Sequence, residues 1–517
     1  MKKLKLVCVA IAMACATPTL AGGLLTNTNQ HVAFDRMMSR EASIGIDGVY
    51  YNPAGVVFMS EGHHLAINWQ LAFQTRTINN DYALFTNNVN NPITPRDFKG
   101  TAFAPVIPSF QYAYNKGKWS FQANFALTGG GGKCTFDDGL GSFEKIVAET
   151  ALAACQLAGA VDQVAGAYGV PAIFSNNQVF GTEGKYSYNS YMHGRQYYYG
   201  LSAGAAYKFS NNFSAFAGVR GVYALTNYYG YVENIQVGQM PLYKVLNPAK
   251  ESSANIELSC DQSGVGFTPI IGVDYKTGRW NFSAKYEFKT RIRLKNKSVN
   301  QIPSIGNLPD NLRNAYIANG VPEAAADAIL SNPKIQGAMV ALKTQFDSKI
   351  DGAIGEYEDG KKIAGDIPAY LALGVGYSPV DAVRVNVGFH WFDDKNATSY
   401  NNRNKELKRG TLEYNAGVEV DVNKKITLST GWQNTNYGLS DEYMDDKSFV
   451  VSSNSVAVGG VYHINKKMDL NVAYFHTFYQ HKKTTETVQL TADRSLNYSS
   501  DYTRNNNVFA VGLDINF

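Results

Sequence analysis

The last ten residues, Val508 to Phe517, alternate without a miss. Phe509, Val511, Leu513, Ile515 and Phe517 share one side, and Val508, Ala510, Gly512, Asp514 and Asn516 share the other. Successive side chains of a strand point to opposite faces, so this segment has one apolar face and one small or polar face. With an aromatic residue at its end, it has the form of the closing strand of an outer-membrane β-barrel. Lipopolysaccharide and outer-membrane lipid are then the expected surroundings. The strand ending at Phe517 is the expected signal to the barrel-assembly machinery.

The pattern recurs. Leu65, Ile67, Trp69, Leu71 and Phe73 alternate with Ala66, Asn68, Gln70, Ala72 and Gln74; Trp119, Phe121, Ala123, Phe125 and Leu127 alternate with Ser120, Gln122, Asn124 and Ala126. Trp280 to Lys289 and Thr411 to Asp421 do the same, with Lys285, Glu287, Lys289, Glu413, Glu419 and Asp421 on the polar side. A charge facing lipid at mid-membrane costs about 2–4 kcal/mol, so the charged rows must face the lumen. Tyr (33), Phe (27) and a mean hydropathy of −0.23 suit strands that are apolar on one side only. No run of about 18 apolar residues offers a spanning helix.

Six tight turns punctuate the chain: 115–118, 210–212, 276–279, 379–381, 423–425 and 465–467, all with turn chemistry. Seven longer polar connections alternate with them: 77–100, 129–194, 237–262, 295–365, 394–408, 437–449 and 482–501. Seven hairpins predict a fourteen-stranded antiparallel barrel over 63–517, both ends on the short-turn, periplasmic side. Within two long extracellular loops, 129–194 and 295–365, helical spacing appears from Phe143 to Val161 and in two runs between Pro322 and Ile350, broken before Pro333.

Lys2, Lys3 and Lys5 before the apolar run Leu6–Ala14, with Thr19-Leu-Ala21, predict a signal peptide over 1–21. Cys134, Cys155 and Cys260 remain, and a Cys134–Cys155 bridge is one option. A net charge of +4 gives no reason to expect a nucleic acid partner. No catalytic set, metal spacing or cofactor motif stands out; His63 and His64 are adjacent, so they point to opposite faces.

Residues 22–62 are small and polar without sustained alternation, and precede the first strand. A barrel of this size would leak solutes if open; a plug in the lumen is the economical expectation. Here Glu41-Ala-Ser-Ile-Gly-Ile-Asp-Gly-Val-Tyr-Tyr-Asn-Pro-Ala-Gly55 resembles the amino-terminal hatch of the FadL/TodX outer-membrane transporters, with Asn52-Pro53-Ala54 as that family's mark. The resemblance implies diffusion of long-chain fatty acids or other lipophilic molecules. Extracellular loops would catch the ligand and pass it to an inner pocket beside the hatch's amino end. After a hatch movement it would leave sideways through a kink in the third strand.

By that resemblance Leu24 and Leu25 touch ligand, while Asn52, Pro53 and Ala54 hold the hatch in shape. Thr128, Gly129 and Gly130 end the third strand where glycine marks a bulge, and are the candidate kink. Inward-facing Arg220, Lys285 and Arg384 are candidate partners for a carboxylate head group; Glu287, Glu413 and Glu419 are alternative partners for these cations. Fatty-acid-binding members place a basic residue soon after a stretch like Gly221-Val-Tyr-Ala224; here Leu225 follows, which leaves neutral ligands open. The competing functions are an adhesin or structural barrel with host-binding loops, a general porin, and an outer-membrane enzyme.

Overall fold

The computed structural model describes residues 25–303, 307–491 and 494–517. The expected leader and Leu24 lie outside these residues. Among them, fourteen antiparallel strands form one closed sheet. They are β1 Gly62–Tyr82, β2 Arg96–Lys116, β3 Trp119–Phe136, β4 Tyr186–Lys208, β5 Phe213–Val237, β6 Ile256–Thr277 and β7 Trp280–Glu287 continued by Arg293–Gln301. There follow β8 Lys362–Ala364 continued by Tyr370–Val380, β9 Val383–Phe392, β10 Arg409–Asn423 and β11 Ile426–Gly438. The last three are β12 Ser453–Asn465, β13 Met468–Tyr479 continued by Lys482–Thr491, and β14 Arg494–Asn516. Each strand pairs with its neighbours in sequence, and β14 closes on β1 from His64↔Asn516 to Tyr82↔Tyr498.

The solvent relation is inverted from that of a water-soluble domain. Trp69, Phe121 and Phe267 are 47%, 51% and 68% exposed, while Asn68, Gln111, Asn124 and His390 are buried. Apolar side chains line the outside because lipid is the solvent there; polar ones turn inward, where they find partners.

Several strands outrun the expected boundaries. β1 continues to Tyr82, and most of the expected connection 482–501 is a hairpin ladder in which Lys482 pairs with Tyr502 and Gln489 with Ser495. Beyond the bilayer these ladders stay bonded because a cap packs on them. Cys134 stands in β3 and Cys260 in β6; both thiols and that of Cys155 are buried and free, so the optional bridge is absent.

The cap is built on α3, Gly141–Gly166, which contains the expected helical spacing. Val147, Ala151, Ala158 and Val161 pack in one cluster with Phe85 of the turn after β1, Phe98 of β2 and Tyr186 of β4, and with Tyr316 and Ile329 of the second long loop. That loop forms α4 Leu308–Ala318, α5 Glu323–Leu330 and α6 Pro333–Ile354; α4 was not expected from the sequence. The buried Glu144 of α3 accepts from Asn88, Tyr186 and Tyr188 and pairs with Arg96, tying the cap to β2 and β4.

Inside the barrel lies the segment preceding β1, with α1 Val32–Met37, α2 Gly48–Tyr51 and a 3-10 turn Gly55–Phe58. Its backbone runs so close to the wall that side chains there would collide. A Cβ at Gly417 or Gly431 would run into the Met37 carbonyl oxygen. Gly431→Val is therefore expected to dislodge this segment while the barrel still forms. Limited proteolysis should then cut within 32–58, and unchanged protection would show that the contact is dispensable.

Candidate ligand site and wall opening

The segment preceding β1 is held differently on its two sides. Against β7, β9 and β10 it is held mainly by charge. Glu41 accepts from His390 Nε2 at 2.7 Å, and His390 Nδ1 meets Glu413 at 2.8 Å. Arg36 of α1 pairs with Glu419, and Arg40 lies 3.7 Å from the same carboxylate while bonding Asp47 at 2.7 Å. Lys285 Nζ donates to the Tyr50 carbonyl at 2.6 Å. Against β1 to β3 the bonds are neutral: Asn29 with Gln70, and Gln30 with Ser109, Gln111 and Asn124.

The Asn52-Pro53-Ala54 triplet lies at the wall. Asn52 Nδ2 donates to Asp274 at 2.6 Å and its Oδ1 accepts from the Gly55 amide; the Pro53 and Ala54 carbonyls accept from Gln122 and Ser214. Pro53 supplies no donor and fixes its own φ, which suits a segment whose carbonyls are taken by the barrel.

The three cations expected to meet ligand are engaged by carboxylates. Arg220 makes a two-point contact with Glu287 at 2.7 and 2.9 Å, Lys285 lies 3.0 Å from Glu287, and Arg384 bonds Glu419 at 2.6 Å and also Asp421. A different pair lacks such partners. Arg76 of β1 and Arg504 of β14 are directly opposed across the closing seam. Among the described residues, neither has a carboxylate within 4.0 Å. Both share the Gln74 side-chain oxygen, at 3.1 and 2.8 Å, and Arg504 also reaches the Phe449 carbonyl at 3.5 Å. Arg504 Nε is buried without an acceptor. Neither arginine was singled out from the sequence, because their opposition is a fact of register.

Both arginines line a cavity of about 390 Å³ in the lumen, with Leu25 and Asn27 at its hatch side and Ala102, Ala104, Ile107, Phe136 and Tyr479 around it. The cavity reaches a break in the wall. β2 and β3 pair from Phe110↔Phe125 to Lys116↔Trp119 and again from Gly100↔Phe136 to Ala102↔Cys134, but not between. Two prolines, Pro105 and Pro108, stand in the unpaired stretch of β2, where they donate nothing. Opposite them β3 bulges at Leu127/Gly129 and Gly130/Gly132 in its ladder with β4. Gly130 has φ +71° and a Cβ there would run into the Gln196 carbonyl, so glycine is required. Thr128 is buried and donates to the Tyr198 carbonyl at 3.2 Å. Three carbonyls beside the break are bonded by one residue of the segment preceding β1: Asn27 Nδ2 donates to Leu127 and Gly130, each at 3.0 Å, and its amide donates to Thr128 at 2.9 Å.

A second cavity, of about 440 Å³, lies on the extracellular side between α3, the ends of β5 and β6, the β13–β14 hairpin and the segment 441–447. In that segment burial, with Asp445 alongside, pushes the Asp446 carboxyl up to about 6. Asp446 accepts from the Ser142 amide at 2.8 Å and from Tyr502 at 3.0 Å.

No family model matches the chain, and no curated protein matches it in sequence. Its structure is similar to that of a Pseudomonas aeruginosa FadL homologue, at 14% identity over 96% of this chain and 100% of that one, with a TM-score of 0.59. It is also similar to the deltaS2S3 mutant of TodX, a monoaromatic hydrocarbon channel, at 14% identity over 94% and 99%, with a TM-score of 0.52. The fold is therefore that of the FadL/TodX barrels.

Removing one member of a buried charge pair costs about 3–5 kcal/mol. Glu41→Ala is accordingly expected to loosen residues 36–52 from the wall, read as faster hydrogen exchange there with strand protection kept. The Asp446 carboxyl releases its proton less readily when packed than when free, so its penalty is absent below the ordinary carboxylate range and complete above about pH 6. Segment 441–451 should exchange more slowly at pH 5 than at pH 7.5, after correction for intrinsic rates. Asp446→Asn should remove that difference.

Proposed function

We propose that this chain is an outer-membrane diffusion channel for hydrophobic molecules that carry an anionic group, long-chain fatty acids being the simplest such class. The Arg76–Arg504 pair carries the proposal. Like charges directly opposed across two strands destabilise a sheet, and these two share one neutral oxygen instead of a carboxylate. A carboxylate in the inner cavity would bond both guanidinium groups and remove the repulsion, through charge-assisted hydrogen bonds about twice as strong as neutral ones. The alkyl chain would gain about 0.8 kcal/mol per buried CH₂.

The break between β2 and β3 supports lateral release. An apolar chain leaving through it enters lipid directly, and Asn27 is the residue to be displaced. Leu25 lines the inner cavity and would touch ligand; Arg220, Lys285 and Arg384 would serve to hold the hatch and the wall. Lipid and lipopolysaccharide would surround the barrel, and the assembly machinery would read the strand ending at Phe517.

Uptake of radiolabelled oleate and of radiolabelled hexadecane separates head group from chain. Arg76→Gln and Arg504→Gln are each expected to lower oleate uptake by about tenfold or more, as charge-assisted hydrogen bonds worth about 1.5–3 kcal/mol are lost. Hexadecane uptake should be unchanged. Equal losses for both compounds, or no loss for oleate, would overturn the head-group role.

A further inference from the structure

The outer and inner cavities are separated by one unpaired piece of chain. Residues 439–452 join β11 to β12 and belong to neither ladder. Their first half lines the outer cavity and their second half the inner one; Lys447 and Met192 line both. Phe449 and Val451 fill the space between, packed with Phe136, Met192 and Tyr502.

We propose that residues 441–451 are a strap that gates passage from the outer cavity to the inner one. Its first half is tied down by Lys482 on Asp441 and by Arg403 on Asp445 and the Tyr443 carbonyl, so the part that can lift is its middle, around Asp446 and Phe449. Apolar anchoring comes from Phe449, whose ring lies 5.0 Å from that of Tyr502, and from Val451. The polar seat is the buried Asp446 on the Ser142 amide and the Tyr502 hydroxyl, a carboxylate with no cation bonded to it among the described residues. On the inner side, Arg504 donates to the Phe449 carbonyl at 3.5 Å, the long and weak limit of such a bond. This proposal rests on the channel reading in one respect. An anion that engages Arg504 draws it from Phe449, so arrival of cargo and release of the strap compete for one guanidinium.

Cys134 supplies a reporter that needs no cargo. Its thiol is buried, lines the inner cavity and packs in the same cluster as Phe449. In intact cells, a small hydrophilic methanethiosulfonate added outside should modify Cys134 when the strap lifts, read by mass spectrometry of the peptide. The double variant Ser142→Cys/Asp446→Cys puts two thiols where the Asp446 carboxylate meets the Ser142 amide, and mass spectrometry verifies that they have joined before the variant is used. Oxidised, it should slow Cys134 modification and oleate uptake by about tenfold or more, because local opening then requires the whole cap to move. Reduction and washing should restore both, so the variant controls for its own folding. Phe449→Ala removes the main apolar anchor and should speed Cys134 modification on the order of tenfold. Modification of the oxidised variant at the wild-type rate would overturn the gate. Protection of Cys134 in a protein that takes up no oleate in any form would support the gate and remove the proposed cargo.

Discussion

A strand in lipid has nowhere but its neighbours to place its backbone donors and acceptors. That constraint forces the sheet to close, turns apolar side chains outward, and leaves a lumen of polar groups that must satisfy one another. The segment preceding β1 meets the last of these demands. Asn68, Gln111, Asn124 and Ser109 would otherwise face a wide aqueous hole; instead Asn68 accepts from the Val32 amide, and the other three donate to the backbone and side-chain oxygens of Gln30. The same constraint makes the interruption between β2 and β3 conspicuous. The carbonyls of Leu127, Thr128 and Gly130 beside it all accept from Asn27, so the amino-terminal stretch of the segment preceding β1 covers the interruption.

Charge is distributed around the lumen with a clear asymmetry. Buried ion pairs are strong evidence of geometric definition and weaker evidence of net stability. Glu41–His390–Glu413 and Arg36–Glu419 fix where the middle of the hatch lies against β9 and β10. Arg220 and Glu287 brace β5 against β7 in the same way. The two arginines on the closing seam stand apart because, among the described residues, neither has a carboxylate partner, and they line a lumen cavity that reaches the break in the wall.

Much of this architecture was legible in the sequence. Strict alternation, as in Trp119 to Leu127, identifies strands without reference to anything distant, and the failure of alternation before β1 marks residues 25–61, which form no strand. Gly129 to Gly132 announced a distortion in β3. The prolines at 105 and 108, the complementary half of that distortion, were equally visible but carry meaning only once β2 is known to oppose β3 there. Strand ends were misjudged where polar residues outside the bilayer continue a ladder, as at 482–501, since hydrophobic alternation stops at the membrane and hydrogen bonding does not. Arg76 and Arg504 lie 428 positions apart in the chain, and only the register of the closing seam makes them a pair. The segment 439–452 has no periodicity at all; its position between two cavities is a property of three-dimensional packing.

The neutral character of the bonds between residues 27–30 and strands β1 to β3 has a mechanical meaning. Separating a charged pair inside a low-dielectric lumen would strand two ions, whereas an asparagine or glutamine amide can exchange a carbonyl for a water molecule at little net cost. The segment preceding β1 thus has a charged side, costly to separate, and a neutral side that would separate at less cost if it moved. Were the neutral side to part from the wall beside the break, ionic strength should matter little, and the ion pairs on β9 and β10 would still hold the other side in place.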